Sequence, residues 1–540
     1  MTAVVIIPAI KKNVAFTDDL VKKLNGISLI QRTIDKASEI SGRENIYVVT
    51  DSSEIRLICQ RNKVKYFFDE SLRLRKGDIV NCLRFFLSDL GPHYSDIIIL
   101  SPYSPMVNAD EIRKAFEKYK SGCNKLLIPV KRGMTRAFNN DERDLSDLLF
   151  GEAQQELLLQ CQAFRIFNKS LLMNGAHINE KNEPLAYELD SDLLEIHSYQ
   201  DWWVCEKLLK RKIIVFRIVG TERGGMGHIY RALTLAHEIT DHEVRFVCDE
   251  NSQVAVKKLA GYDYWLGVYK ESQIVEKIIA IRPSLVINDI LNTDSEYICK
   301  LKKRGIKVIN FEDLGSGAPL ADLTFNELYD DPSITGENIL WGRDYFFVRE
   351  EFNDAKPNKF KDDVKAVLVA FGGTDPNNFT RKILWKILEF CVSLKIKIYV
   401  VTGGGYPHIK ALEKEIDEIE NADIEYIHAT GVMSHIMEQV QIAISSNGRT
   451  AYELAHMNIP SIIISHHERE NTHAFVTRNH GYVPLGLYRP GETENQVLSE
   501  FQRLVTDRNY RRDLFDQMEP FEFCGNKEKV LKKILNLLDN

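Results

Sequence analysis

The residues best suited to chemistry stand in the stretch Arg217 to Ala236, RIVGTERGGMGHIYRALTLA. An apolar run from Ile213 to Phe216 precedes it and reads as a buried strand. Gly224, Gly225 and Gly227 then turn the chain into apolar residues at helical spacing. A strand, a glycine turn and a helix start present free backbone N–H groups and the positive end of a helix dipole, which together suit an anion. His228 and Arg231 lie at or just inside that helix start. Histidine exchanges a proton near neutral pH, so the pair offers a base and a cation to a phosphorylated substrate. Taken alone the turn is a weak motif. His228 then reads more readily as a helix-terminal cap, and Arg231 equally as an ion-pair partner.

Such residues need a scaffold, and 540 residues are too many for one ordinary core. In the first part, short apolar strands (Val4–Ile7, Ile46–Thr50, Lys65–Phe68, Asp96–Leu100, Lys125–Val130) alternate with helical segments, including one over Gly77–Leu87. That alternation predicts a mostly parallel sheet covered on both faces, with ligands at the carboxyl ends of the strands. The candidate positions are Pro8 to Asn13, Thr50 to Ser52 and Ser101 to Pro105. A charged helix end, Glu206 to Lys212, leads straight into the strand at Ile213. Two further α/β units follow, the second beginning with Val367 to Phe371 and GGTDPNN, and Gly336, Gly342 and Pro357 mark the connection between them. The expected organisation is an α/β domain over 1–211, a first Rossmann-like lobe over 212–355, and a second over 356–540. That second lobe ends in a helical tail that pairs two packing helices.

Composition narrows the function classes. With 44% hydrophobic and 27% charged residues the chain reads as a globular protein. A net charge of −7 gives no global electrostatic case for nucleic acid. The nine cysteines are scattered with no CxxC spacing, so neither a zinc site nor a dithiol motif is expected. No signal peptide and no run of about 18 apolar residues stands out. The expectation is a cytoplasmic protein without a membrane span, with a homo-oligomer left open.

IIPA, KLNGISLIQRTIDKA, VVTDSSEI, ILSPYSPMVNADEI and AYELDSDLLEIHSYQDWW stand in the first part in an order that resembles the cytidylyltransferases making CMP-sialic and related CMP-nonulosonic acids. The resemblance implies a nucleotidyltransferase-type Rossmann-like fold, CTP and a nonulosonic acid as ligands, and Mg²⁺ if the domain is active. It points to Lys11, Lys12, Asn13, Asp51 and Ser101 as nucleotide-binding positions. The family's phosphate loop, of IPAR-x-G-S-K type, is replaced here by Ile10 to Val14. Its later acidic stretch is replaced by Leu194 to His197, where Glu195 and His197 become the candidate metal ligands, although oxygen suits magnesium better than imidazole. An active enzyme with a divergent loop and a scaffold that has lost catalysis both fit these substitutions.

The second part resembles the UDP-sugar hydrolase of the pseudaminic acid pathway, which acts on UDP-2,4-diacetamido-2,4,6-trideoxy-altropyranose, and its spore-coat polysaccharide relatives. Six blocks run in order: GGMGHIYRALTLA, FEDLG, GRDYFFVREEF, FGGTDPNN, SSNGRTAYELA and ERENTHAF. The resemblance implies a GT-B-like pair of lobes holding a UDP-sugar, no cofactor, and His228 as the base that activates water at the anomeric carbon. Gly225, Gly227, Arg231, Gly372, Gly373, Thr374, Asn447, Gly448, Thr450, Glu453, Glu470 and Asn471 are the implied UDP-sugar contacts. Glu453 is placed to accept from a ribose hydroxyl. Two departures stand out: Asn288-Asp289-Ile290 replaces an Asp-His-Tyr type segment, and Tyr452 replaces an asparagine. The adjacent His466 and His467 read as loop polar contacts rather than a metal pair. The expected protein is a fusion serving surface-polysaccharide sugar biosynthesis. Its alternatives are a GT-B glycosyltransferase and a sugar-nucleotide-binding scaffold with a dead cytidylyltransferase domain.

Overall fold

The computed structural model describes the chain except for residues 1–2, 12–15, 70–85, 89–93, 123–125, 136–154, 174–183, 190–193, 222–225, 331–333, 519 and 540. Lys12, Asn13, Gly225 and nearly all of the helix expected over Gly77–Leu87 therefore lie outside the described residues. The chain divides into two compact units, Met1–Arg211 and Lys212–Asn540.

The first unit is built on a mixed sheet in the order Leu185–Glu188, Leu126–Thr135, Phe164–Asn168, Asp96–Leu100, Ala3–Ala9, Ile46–Thr50, Lys65–Phe68. Ala3–Ala9 is central and parallel to both neighbours, while Phe164–Asn168 runs antiparallel to the strands flanking it. Its β-branched residues are buried on both faces: Val5 and Ile7 pack under the Leu29–Ile40 helix, and Val4 and Ile6 against Leu87 and Phe167. A strand covered on both sides reads as a continuous apolar run, which is why AVVII was legible.

The second unit holds two wholly parallel sheets. The first lobe orders its strands Trp265–Tyr269, Glu243–Asp249, Ile213–Ile218, Leu285–Asp289, Lys307–Phe311, Leu323–Asn326, Ile339–Trp341. The second orders them Ile424–His428, Lys397–Thr402, Ala366–Ala370, Ile442–Ser446, Ser461–Ser465, Tyr482–Leu487. The second follows the doubly wound 3-2-1-4-5-6 order and the first extends it by a seventh strand; in that order ligands bind where the strand order reverses. In the first lobe that point lies between Ile213–Ile218 and Leu285–Asp289, and in the second between Ala366–Ala370 and Ile442–Ser446. The unit is a GT-B arrangement.

Two strands, Leu323–Asn326 and Ile339–Trp341, continue the first sheet into the stretch that sequence alone assigned to a connection. They are four and three residues long, too short for periodicity to reveal them. The helical tail also differs from the expected pair. Glu492–Thr506 and Arg508–Met518 pack on the second lobe through Val497, Phe501, Leu504 and Leu514. The last helix, Asn526–Asp539, instead crosses back and buries Val530, Leu531, Ile534 and Leu538 in the core of the first lobe. Those four residues form one apolar stripe at helical spacing, and the Ile309, Phe311 and Phe325 side of the first sheet receives it. Lys527 secures the crossing by donating to Glu238 at 2.6 Å and to Glu350.

Candidate functional site

A cleft of about 280 Å³ opens between the carboxyl ends of the two switch points in the second unit. From the first lobe it is lined by Gly227, His228, Arg231 and Glu312. From the second it is lined by Gly372, Gly373, Thr374, Gly448, Arg449, Thr450, Glu453 and Glu470. The structure thus assembles ten of the sequence-nominated positions around one space. Asn447 and Asn471 do not line it. Asn447 donates to the carbonyl of Glu470 at 2.9 Å and so ties two loops together, and Asn471 is exposed.

The first wall is set by the helix Gly227–Glu238, whose N-terminus carries no side-chain cap. His228 and Arg231 lie one turn apart on its buried face. His228 Nδ1 meets Asp289 Oδ1, and the Nε of Arg231 donates to Asp289 Oδ2 at 2.7 Å. Because a carboxylate only accepts, Nδ1 carries a proton, and in the neutral ring the lone pair then lies on Nε2. Arg231 is wholly buried and also donates to Glu312 and Glu327. The question whether Arg231 is an ion-pair partner is therefore answered by geometry: it is the hub of three carboxylates. Burial pushes the carboxyl of Asp289 up, but the adjacent Arg231 and His228 outweigh it and hold the group below its usual range. The same balance, with Arg231 dominant, holds Glu312 well below. Burial wins at Glu327, which is raised, and its Oε2 has no hydrogen-bond partner.

Beneath this layer runs a polar ladder. Tyr297 donates to Asn288 at 2.6 Å, Asn288 to Asn310 at 2.8 Å, and Asn310 to Asp313 at 2.7 Å. It holds the ends of Leu285–Asp289 and Lys307–Phe311 in register, so that Asp289 and Glu312 converge on one arginine. Glu312 itself has φ 52°, and Leu291, also on the cleft, has φ 66°. Non-glycine residues held there cost about 1–3 kcal/mol each and persist where their surroundings over-determine them.

The second wall depends on close backbone approach. A Cβ at Gly373 would stand 2.8 Å from the Met226 side chain, and one at Gly403 would stand 2.4 Å from the Cα of Gly373. Only glycines bring these loops together, and Gly372 adopts φ 75° to do so. The helix Phe379–Leu394 spends its first amides on Asp375, which accepts from Phe379 at 2.8 Å and Thr380 at 2.7 Å. The glycine turn after Phe371 therefore does not offer that helix end to an anion. The helix Arg449–His456 does: its N-cap is Gly448, no side chain caps it, and Gly448 to Thr450 face the cleft.

Arginines missed by sequence reasoning bridge the walls. Arg449 donates to Glu327 at 2.6 Å and to the Phe347 carbonyl at 2.9 Å. Arg469 donates to Asn292 at 2.6 Å and to the backbone carbonyl of Glu312. Arg349 forms a two-point pair with Glu453, at 2.9 and 3.4 Å, so the carboxylate nominated for a ribose hydroxyl already holds a cation. Tyr452 is core: it stacks between Phe346 and Phe475 at 4.0 and 4.1 Å, and its hydroxyl donates to the Glu327 carbonyl at 3.2 Å. His467 caps the Glu468–Asn471 helix, and His466 stacks on Phe379 at 4.5 Å with its pKa pulled down by burial to about 4. Both are polar loop contacts, as the sequence suggested.

Burial pushes Glu470 up to about 7 from the usual 4.5, against hydrogen bonds from the His466 amide and Ser446 that lower it. A folded-state pKa above the unfolded one means that ionising this carboxyl costs stability. The cost is absent below about pH 4.5, grows as pH rises to about 7, and is constant beyond. Glu470→Gln should therefore melt at a higher temperature than the parent at pH 8, with the gain vanishing by pH 4. An equal difference at both pH values would refute the assignment.

In the first unit the described nominated groups are engaged with neighbouring side chains and amides. The Lys11 amide donates to Asp51 at 2.7 Å, and its ammonium lies 3.7 Å from Asp18 and 3.9 Å from Glu54. The space beside it is about 10 Å³. Ser101 accepts from the Tyr103 amide at 3.3 Å. Glu195 Oε2 lies 3.4 Å from His197 Nε2, and its other oxygen accepts from the Gln162 amide. Among the described residues no group of three or more His, Cys, Asp or Glu side chains could hold a metal ion. One carboxylate and one imidazole do not fit magnesium, which takes oxygen ligands in octahedral geometry. Among the described residues, too, no helix is long and apolar enough to cross a membrane.

No family model matches the chain. The spore coat polysaccharide biosynthesis protein SpsG of Bacillus subtilis is 26% identical over 318 residues, covering 56% of this chain and 91% of that protein. The CMP-N,N'-diacetyllegionaminic acid synthase of Legionella pneumophila is 24% identical over 229 residues, 39% of this chain and 97% of that protein. The UDP-2,4-diacetamido-2,4,6-trideoxy-beta-L-altropyranose hydrolase of Campylobacter jejuni is 25% identical over 211 residues, 37% of this chain and 73% of that protein. The chain spans about half of the uncharacterised protein MJ1062 of Methanocaldococcus jannaschii, 54% of its length at 26% identity over 46% of this chain. The chain is thus a fusion of a part similar to a CMP-nonulosonic acid synthase with a part similar to SpsG and a UDP-sugar hydrolase.

Proposed function

We propose that the second unit cleaves a UDP-sugar at its anomeric carbon by addition of water, in the biosynthesis of a nonulosonic acid or surface polysaccharide. The observation that carries this reading is the His228–Asp289 pair at one switch point, opposite the uncapped helix end at Gly448 on the other. The diphosphate sits against the amides of Gly448 to Thr450 and beside Gly372 to Thr374, with Arg449 as the nearest cation. His228 Nε2 takes a proton from water while the water oxygen bonds to the anomeric carbon. The bond from that carbon to the β-phosphate oxygen breaks, and its electron pair leaves with UDP. Asp289 fixes the tautomer and steadies the imidazolium that forms. The similarity to the altropyranose hydrolase supports water as the acceptor.

The first unit, in this reading, is a scaffold derived from a cytidylyltransferase. The Lys11 ammonium stands near Asp18 and Glu54, and Glu195 with His197 lacks the oxygen donors that magnesium takes, so this reading assigns no step to it. CTP, a nonulosonic acid and Mg²⁺ would be its ligands were it active, and pyrophosphate release from that mixture would restore it to the enzymes.

The test is to incubate the full chain with a panel of UDP-acetamido sugars and follow free UDP. Release without any acceptor is expected. Release only after a sugar acceptor is added would make the second unit a glycosyltransferase and overturn the reading.

A further inference from the structure

Glu312 has a geometry that charge balance for Arg231 does not require. Its backbone is left-handed, at φ 52°. Three bonds hold it there: its amide donates to the Phe325 carbonyl at 2.9 Å, its carbonyl accepts from Arg469 of the facing lobe, and its Oε1 accepts from Arg231. Asp289 and Glu327 already satisfy the same guanidinium. The carboxylate lines the cleft together with His228 and His473, and its second oxygen is not engaged by Arg231. Among the buried carboxylates of the network, Glu327 has its second oxygen sealed from the cleft without a partner, whereas that of Glu312 is not sealed. A residue forced into an unfavourable conformation and pinned from both lobes is the mark of a group whose position serves a reaction.

We infer that Glu312 is a second catalytic residue, whose open carboxylate oxygen stabilises the positive charge that grows on the anomeric carbon as the bond to UDP breaks. This rests on the cleavage proposed above. Departure of UDP ahead of full bonding to water leaves the sugar ring oxygen and its carbon electron-deficient, as in the oxocarbenium-like transition states of glycoside cleavage. A fixed carboxylate beside that carbon interacts with the transition state more strongly than with the neutral ground state, which raises kcat rather than lowering KM. Arg231 keeps the group ionised, and Arg469 sets its peptide only when the second lobe is in place. The step needs no oxidant or further reactant: the carboxylate neither bonds to the sugar nor takes a proton, and His228 takes the proton of water.

Glu312→Gln keeps the shape and removes the charge. In the full chain its kcat for UDP release should fall about 100-fold or more, with KM and the Kd for UDP within about threefold of the parent. Glu312→Gly accepts the left-handed backbone without strain and should be comparably slow, but formate should restore part of its turnover by supplying a carboxylate. Turnover of Glu312→Gln within about threefold of the parent, or no effect of formate on Glu312→Gly, overturns the inference. A parent protein that cleaves no UDP-sugar would instead refute the reading of the cleft, so the two failures are separable.

Discussion

Replacing His228 with alanine should reduce UDP release by about 100- to 10,000-fold, the range expected for loss of a general base, while UDP still binds. The separation follows from where the parts lie. The imidazole belongs to the first lobe, whereas the amides of Gly448 to Thr450 belong to the second. Calorimetric titration with UDP should give a Kd within about threefold of the parent. Asp289→Asn probes the same step differently. An amide can present its own N–H to Nδ1 and hold the imidazole in the wrong tautomer, a change that costs serine proteases about 10⁴ in kcat. The asparagine variant should therefore be nearly as slow as the alanine variant although His228 is intact. If His228→Ala turned over within tenfold of the parent, the proposed base would be wrong.

The largest effect on stability should come from Arg231→Met. The substitution leaves Asp289, Glu312 and Glu327 buried around an apolar side chain. Breaking a buried ion pair by removing one partner costs about 3–5 kcal/mol, and here three acceptors lose the same donor. Removing the charges as well, with Asp289→Asn, Glu312→Gln and Glu327→Gln in the same chain, should recover much of the loss. The pH dependence has a definite sign. Asp289 and Glu312 are held below their usual pKa values by Arg231, so their contribution is present above those values and is lost as pH falls through the folded ones. The difference between parent and Arg231→Met should shrink on acidification. A difference that stayed constant between about pH 5 and about pH 2, the range across and below the usual carboxylate values, would show that the arginine acts by packing and not by charge.

The parallel lobes were legible because their strands are apolar on both faces and because glycine turns follow the strands next to the switch points. His228 and the Gly448 helix start were found for the same reason. The partners of His228 were not. Asp289 stood in a segment that looked like a departure, and nothing in a linear sequence says that Ile218 pairs with Asp289 across a parallel register. That pairing brings the carboxylate beside the turn carrying the histidine. Glu312, Glu327 and Arg449 lay inside or beside recognisable blocks, yet the convergence of the two carboxylates on Arg231, and of Arg449 on Glu327, is a property of strand ends and two helix starts. Tyr452 shows the opposite limit. Its departure from the expected asparagine looked like altered chemistry, and aromatic stacking with Phe346 and Phe475 accounts for it. The strands that escaped, Leu323–Asn326, Ile339–Trp341, Ile424–His428 and Tyr482–Leu487, lie at or next to a sheet edge and carry no continuous run of β-branched residues.

The last helix, seated in the core of the first lobe after the chain has completed the second, gives the two lobes a second covalent tether. Bodies joined at one point can swing and swivel about it; joined at two, they keep only rotation about the line through both. Opening the cleft is then a door-like motion with a fixed axis. Each closure returns Arg469 to the Glu312 carbonyl and Arg449 to Glu327 along the same arc.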